Sequence, residues 1–308
     1  MKQLGFIGLG EMGLPMAANL VARGFGVAGY DVRPEAVRAF EAGGGRAAGS
    51  APEAAHGGDA VIVMVRTAEQ AEQVLLGPGG AIEAARGDAI LIVMSTVGVA
   101  AMRRLWEGAR ARGLGFLDAP VSGGRARAEG GTLTIIAGGS GRDLAAARPV
   151  LEVMGRVEHV GEVGAGTAVK MANQVLLTTS LLASLEAADL AATQGVAAER
   201  LWEVLHSCTG ATWVGEHWPT AAGWLREYRP GSSLDILVKD TALAVEFVRE
   251  NGLPAEIVPQ SARMIRELTR RLAGGGGPTP PPASPRSAPE RTKRRTPRRS
   301  SGSAGRPR

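Results

Sequence analysis

Gly8, Gly10 and Gly13 stand at G-x-G-x-x-G spacing, with Leu9, Glu11 and Met12 between them. The pattern follows an apolar strand, Leu4–Ile7, and opens an apolar-periodic stretch, Met12–Ala22, which is the context in which it cradles a dinucleotide. Gly8 permits the tight turn, Gly10 lets the backbone approach a pyrophosphate, and Gly13 lets the helix pack closely on the strand. Free N–H groups at the helix start would meet the anion. A strand–helix turn without a ligand can carry the same glycines, so the neighbours matter. The next strand ends at Asp31, near the spacing of an acid that hydrogen-bonds the adenosine ribose 2′-hydroxyl. A carboxylate there repels a 2′-phosphate and favours NAD; Arg33, two residues on, could receive that phosphate and admit NADP. Asp31 is also an ordinary turn residue ahead of Pro34.

Lys170 lies among Ala168, Val169, Met171 and Ala172, near the start of a long apolar stretch. A lysine in that setting ordinarily snorkels its ammonium to solvent. Partly desolvated at a helix amino terminus, it would instead have the lowered pKa that a proton-transferring lysine requires. Asn173, three residues on, shares its helical face, and could hold a carboxylate, orient the lysine or satisfy backbone. Ser122, Gly123 and Gly124 offer a hydroxyl and approachable backbone N–H groups, which suit a small carboxylate and equally make an ordinary loop. Ser95-Thr96 closes a strand, where Thr96 is a ligand contact or merely a cap. His56, His159, His206 and His217 are scattered, and Trp213 and Trp218 read as core or interdomain packing.

The elements that must position these groups are legible as alternating patterns. Leu4–Ile7, Val27–Tyr30, Ala60–Val65, Ala89–Met94, Gly115–Leu117 and Thr132–Ala137 read as strands separated by amphipathic helical stretches. That alternation predicts a Rossmann-type α/β fold, a doubly wound parallel sheet, over residues 1–162. A single long helix, about Thr167–Gln194, then leads into an all-helical second domain over 163–273 that includes Ala198–His206 and Leu237–Glu250.

Residues 274–308 are different material: four glycines, a Pro-rich run and an Arg/Ser/Pro mixture, expected to be a disordered basic tail. Nine of the 35 Lys and Arg residues fall there against one acid, Glu290, leaving 26 basic and 29 acidic residues before it. The basic balance therefore belongs to the tail, which offers no aromatic residue for base stacking and makes a weak case for a nucleic-acid partner. The lone Cys208 cannot form an internal disulfide and no His/Cys cluster has metal-ligand spacing, so the expectation is a cytoplasmic, metal-free protein. No leader pattern precedes the first strand, and no apolar run is read as long enough to span a membrane.

Phe6-Ile-Gly-Leu-Gly-Glu-Met-Gly-Leu-Pro-Met-Ala-Ala-Asn19 resembles the amino-terminal motif of the β-hydroxyacid dehydrogenases, and three further segments agree in order and spacing. Asp118-Ala-Pro-Val-Ser-Gly-Gly124 with Gly131-Thr-Leu-Thr134 is similar to the family's substrate loop. Gly164-Ala-Gly-Thr-Ala-Val-Lys170-Met-Ala-Asn173 is similar to its catalytic helix, and Leu237-Val-Lys-Asp240 to its cofactor-closing helix. The resemblance implies hydride transfer between NAD(P) and a small β-hydroxy acid or its semialdehyde, Lys170 serving as acid/base. It places Val65, Arg66, Thr67 and Thr96 by the nicotinamide ribose, Lys239 over the cofactor, and Ser122, Gly123, Gly124 and Asn173 on substrate. Lys239 would then be a second cation depressing the Lys170 pKa. A homo-oligomer follows from the long apolar helix.

Four features depart from the family pattern: Met94 in place of an aspartate, no proline soon after Thr96, Ser232 in place of a phenylalanine, and the abrupt change at Gly274, which suggests a frame-shifted or truncated carboxyl end. Two rivals stand beside this reading. One is a semialdehyde or imine reductase using NADP, the latter disfavoured by retention of Lys170; the other is a catalytically silent dinucleotide binder whose tail touches nucleic acid.

Overall fold

In a computed structural model of the chain, residues 1–275 are described. The expected basic tail falls almost entirely outside them. The first part of the chain runs β1 (Gln3–Ile7), α1 (Gly13–Ala22), β2 (Gly26–Tyr30), α2 (Pro34–Ala42), β3 (Arg46–Ala47), α3 (Ala51–Ala55), β4 (Ala60–Val63), α4 (Ala68–Leu76), α5 (Ala81–Ala84), β5 (Ile90–Val93), α6 (Val99–Ala111) and β6 (Gly115–Asp118). It continues through β7 (Val121–Ser122), α7 (Gly124–Glu129), β8 (Leu133–Gly139), α8 (Gly141–Leu151) and β9 (Gly155–Gly161). Only helices follow among the described residues: α9 (Ala165–Ala192), α10 (Ala198–Leu205), α11 (Trp213–Glu216), α12 (Trp218–Arg226), α13 (Ser233–Glu250) and α14 (Ile257–Ala273).

The strand order is β3-β2-β1-β4-β5-β6-β8-β7, with β9 on β8. β1 pairs in parallel with both β2 and β4, so the order reverses beside β1 and opens a crevice at the carboxyl edge of the strands. β4 and β5, Ala-Val-Ile-Val and Ile-Leu-Ile-Val, are buried at every position because helices cover both sheet faces. Alternation sends Phe6 and Ile62 into one core with Met16, Leu20 and Phe40, and Ile7, Val61 and Val63 into the other with Leu75, Met102 and Leu105. A third cluster, with Leu181, Leu225, Leu234 and Ile265, holds the helices together.

The sheet is Rossmann-type with helices after it, as the alternation predicts, but it is not parallel throughout. β8 runs antiparallel to β6 and β7, because six-residue α7 is too short to carry the chain back across the sheet. The two-residue strands β3 and β7 and the largely exposed β9 escaped the sequence pattern, which requires a longer apolar run. α9 also corrects an expectation. With 28 residues and a mean hydropathy of 1.4 over its most apolar stretch, it is long and apolar enough to cross a membrane by those measures. In the fold it packs against β8, β9, α13 and α14, and it carries Lys170, Glu186 and Asp189.

Candidate active site

The glycine turn has the geometry its spacing predicts. Gly8 has φ +97° and donates its N–H to Tyr30 O at 2.8 Å. A Cβ on Gly13 would collide with Gly8 O and touch Phe6, whereas one on Gly10 would meet only the Arg33 guanidinium, at 3.7 Å. The space above Gly10 is thus open to a ligand backbone, and α1 begins without a side-chain cap; Leu14 N–H is bonded to Gly10 O at 3.0 Å and Pro15 has no N–H, so the Gly13 N–H is the one in the first turn left to meet an anion. Leu9 is buried in the sheet core, Glu11 is exposed, and half-buried Met12 packs against that core between the glycines.

Asp31 terminates β2 and accepts from Leu9 N at 2.8 Å, while Arg33 folds back onto it with Nε 3.0 Å from Oδ1. Burial works to raise the Asp31 pKa, but the hydrogen bonds from Arg33 and Leu9 outweigh it and hold the carboxyl below its ordinary value. The acid and the base that the sequence offers as alternative ribose recognisers are therefore one ion pair.

Behind β4, Val65 N donates to Ser95 Oγ at 2.8 Å. Thr67 and Gln70 form a reciprocal capping box at the start of α4, in which the threonine hydroxyl accepts from Gln70 N at 3.2 Å and keeps its own O–H to donate. Arg66 crosses to the helical part and donates to the Gly231 carbonyl. The loop bearing that carbonyl is clamped by Asp235, which accepts from Gly231 N at 2.6 Å and Tyr228 Oη at 3.0 Å. Ser232, the substitute for the family phenylalanine, buries its Oγ without a hydrogen-bond partner. Met94, the other departure in this region, fills the sheet core.

Lys170, Asn173 and Lys239 come together in one network. Lys170 Nζ donates to Gln174 Oε1 at 3.1 Å, and Asn173 Nδ2 donates to the same oxygen at 3.1 Å. Gln174 Nε2 donates in turn to Asp240 Oδ2 at 2.6 Å. The other carboxylate oxygen, Oδ1, has no hydrogen bond of good geometry and lies 2.7 Å from Lys239 Nζ as an ion pair. Lys239 then reaches the carbonyl of Thr96 at 2.7 Å, joining α13 to the carboxyl edge of β5. Lys170 is 9% exposed, and burial brings its pKa down to about 8; Lys239 pushes the same way and Asp240 opposes.

The start of α9 is held by a residue the sequence reading left without a role. Buried Asp118 at the end of β6 accepts from Gly164 N at 3.0 Å, Thr167 N at 2.9 Å and Thr167 Oγ1 at 2.7 Å. Burial pushes its carboxyl up to about 6 despite those bonds. Asp118 and Asp240 stand inside the quoted motifs without an assigned role, and Gln174 directly follows one of them, where a helical i, i+4 count from Lys170 would have found it. Ser122 ends β7 opposite Thr134, and Gly123 and Gly124 take φ +133° and +68° as they lead into α7. Among the described residues, none lies within 4 Å of a Cβ placed on Gly124. Trp218 packs on Trp202 at 5.3 Å, as expected of a core residue, but Trp213 is 44% exposed and stacks on His217 at 4.4 Å, outside the core.

Residues 3–171 match the model of the NAD binding domain of 6-phosphogluconate dehydrogenase, and residues 164–279 that of the NAD-binding region of NADP-dependent 3-hydroxyisobutyrate dehydrogenase. The NAD-dependent L-serine dehydrogenase of Pseudomonas aeruginosa is 38% identical over 278 residues, covering 88% of this chain and 93% of that protein. The chain belongs to the β-hydroxyacid dehydrogenase family. A 3-hydroxyisobutyrate dehydrogenase of the same organism is 37% identical over 80% of this chain and 85% of its own. The solved structure of the Mycobacterium tuberculosis 3-hydroxyisobutyrate dehydrogenase with L-serine superposes with a TM-score of 0.81 at 34% identity, covering 89% of this chain and 95% of that one. This β-hydroxyacid dehydrogenase is thus an NAD(P)-dependent oxidoreductase of CH–OH groups. The open cradle over Gly10 and the uncapped start of α1 fit the pyrophosphate such a cofactor carries.

Proposed function

We propose that the enzyme oxidises a small acid bearing a β-hydroxyl, of the size of L-serine or 3-hydroxyisobutyrate, and reduces the matching semialdehyde in reverse. Residues 1–162 hold the dinucleotide and 163–273 complete the substrate cleft. The substrate carboxylate rests on Ser122, Gly123, Gly124 and Asn173, and its hydroxyl on Lys170. In oxidation Lys170 takes the hydroxyl proton as hydride leaves the carbinol carbon; in reduction it returns that proton to the forming alkoxide. The nicotinamide, when bound, supplies the hydride acceptor or donor. Gly8, Leu9, Gly10, Glu11, Met12 and Gly13 cradle the pyrophosphate, Asp31 favours NAD at the ribose, and Val65, Arg66, Thr67, Thr96 and Lys239 flank the nicotinamide end.

The observation that carries this reading is the network in which buried Lys170, through Gln174, and half-buried Lys239, directly, converge on Asp240, with Lys239 bonded to Thr96 beyond the carboxyl end of β5. An absorbance screen of L-serine, 3-hydroxyisobutyrate, threonate and small semialdehydes with NAD(H) and NADP(H) tests it. Turnover is expected with NAD above NADP. Lys170→Ala should still bind NADH while losing about a hundredfold or more in kcat. Near-normal turnover by that variant would overturn the acid/base assignment.

We further infer a cytoplasmic homo-oligomer. Val169, Leu176 and Leu190 are 43%, 70% and 74% exposed along α9, an apolar stripe suited to a second copy of the chain. Light scattering of Leu176→Asp beside the parent measures it: a shift to monomer supports the interface, and an unchanged mass removes it.

A further inference from the structure

We propose that Gln174 is a positioning residue of this site, holding Lys170 toward the cleft and placing it and the cofactor-closing Lys239 on the single buried carboxylate of Asp240. The proposal rests on Lys170 being the acid/base group. Its geometric basis is the side-chain amide itself. The Gln174 Oε1 atom accepts from two donors, Lys170 Nζ and Asn173 Nδ2, while Nε2 gives its proton to Asp240 at 2.6 Å. Turning the amide over would set its NH2 group against two other donors and its oxygen against a carboxylate, so the partners admit one orientation. Gln174 is itself 4% exposed and Asp240 1% exposed, and hydrogen bonds in so dry a place are strengthened by the low local dielectric.

The link joins distant parts of the chain. Lys170 and Gln174 are one turn apart on α9, Lys239 and Asp240 end the second turn of α13, and Thr96 follows β5 by three residues. Seating Lys239 against Thr96 thus fixes Asp240, which fixes Gln174, which fixes the lysine ammonium. The charged groups acting on Lys170 are Asp240 and Lys239. Asp118 on β6 is committed to the start of α9, Arg156 and Glu158 on β9 pair with each other, and His159 turns onto the carbonyls of Gly139 and Gly161. β8 carries no titratable side chain. Gln174 is the bridge through which the counter-charge of Asp240 reaches the lysine.

Two substitutions at one position separate the loss of the acceptor from a change of side chain. Gln174→Met keeps the length but removes the acceptor, so Lys170 should hold its proton less tightly; the acid limb of the oxidation pH profile moves down by about one unit and kcat falls about tenfold. Gln174→Glu keeps an acceptor for Lys170 and shares one proton with Asp240 in place of the 2.6 Å amide bond, so the pair keeps a single negative charge and the limb should stay within about 0.3 unit of the parent. NADH affinity, read by fluorescence titration, should stay within about threefold in both. The chain has only four lysines, Lys2, Lys170, Lys239 and Lys293, so the apoenzyme labelled with 13C at lysine Cε reports the Lys170 titration directly by NMR. A downward shift in Gln174→Met with Gln174→Glu close to the parent establishes the link. An unmoved titration in folded Gln174→Met, or an equal downward shift in both variants, overturns it. If Lys170→Ala turns over normally, the underlying acid/base reading fails; if Lys170→Ala is inactive and the Gln174 variants titrate like the parent, only the positioning role fails.

Discussion

Asp118 and Thr167 meet across the junction between sheet and helices through two hydrogen bonds, the carboxylate receiving the Thr167 N–H at 2.9 Å and its hydroxyl at 2.7 Å. The contact caps α9 from outside its own sequence, since Gly164 at its N-cap position has φ +97° and no side chain. Lys170 follows Thr167 by one helical turn, so the sheet edge sets where the lysine starts. A Cβ on Gly166 would come within 2.6 Å of Asp118 O, which is why the closest point of the junction is a glycine.

Asp118→Ala should cost about 3 kcal/mol or more, because it strands two buried N–H groups and a hydroxyl. Thr167→Val should cost about 1–2 kcal/mol, and Thr167→Ser, which keeps the hydroxyl, less than about 1 kcal/mol. Urea unfolding of the three variants ranks them. Equal losses for Val and Ser would assign the Thr167 effect to its methyl group instead.

The pH dependence of this junction has an unusual sign. The folded pKa of Asp118, about 6, lies above the ordinary 3.8, so its contribution to stability is full below pH 3.8 and is lost as pH rises through 6. Two pKa units correspond to about 3 kcal/mol. Asp118→Asn does not titrate, so its stability relative to the parent should improve by up to about that amount between pH 4 and pH 7, measured by denaturant titration at each pH. A constant difference across the range would contradict the assignment.

Lys170 should cost stability where it supplies activity. Its pKa falls from 10.5 to about 8, so its favourable contribution is present above 10.5 and lost as pH falls through 8. At pH 7 Lys170→Met should therefore be inactive and yet more stable, by up to about 3 kcal/mol. Thermal melts at pH 7 and pH 10 should show the gain shrinking at the higher pH.

The two helix-side glycines of the turn should separate binding from folding. Gly10→Val adds a side chain where only Arg33 is near, so NADH affinity should drop at least about tenfold with the melting temperature nearly unchanged. Gly13→Ala drives a methyl into Gly8 O and Phe6, and should cost about 1–3 kcal/mol or more in stability. Calorimetric binding and thermal unfolding of both variants check the pair.

What the sequence carries by itself is local. The glycine spacing, the acid closing β2, the small-residue setting of Lys170 and the strand–helix alternation each reside within a few dozen residues, where backbone sterics and side-chain periodicity speak directly. The family resemblance added Lys239 and placed Asp118 and Asp240 inside its motifs without a role of their own, and neither it nor the pattern marked Gln174.

Those three were decided by tertiary structure, because their partners are 66 residues away for Gln174 and Asp240 and 49 for Asp118 and Thr167. A buried polar side chain is tolerated only when its hydrogen bonds are met, and packing alone determines which distant group meets them. The same holds for Arg33, which the sequence offers as a rival to Asp31 and the fold turns into its ion-pair partner. The antiparallel turn of β8 belongs here too, since chain direction depends on what the intervening segment can span. Sequence by itself determined the cofactor cradle and the lysine; the fold determined which carboxylate that lysine shares, because only there do α9, α13 and the end of β5 meet.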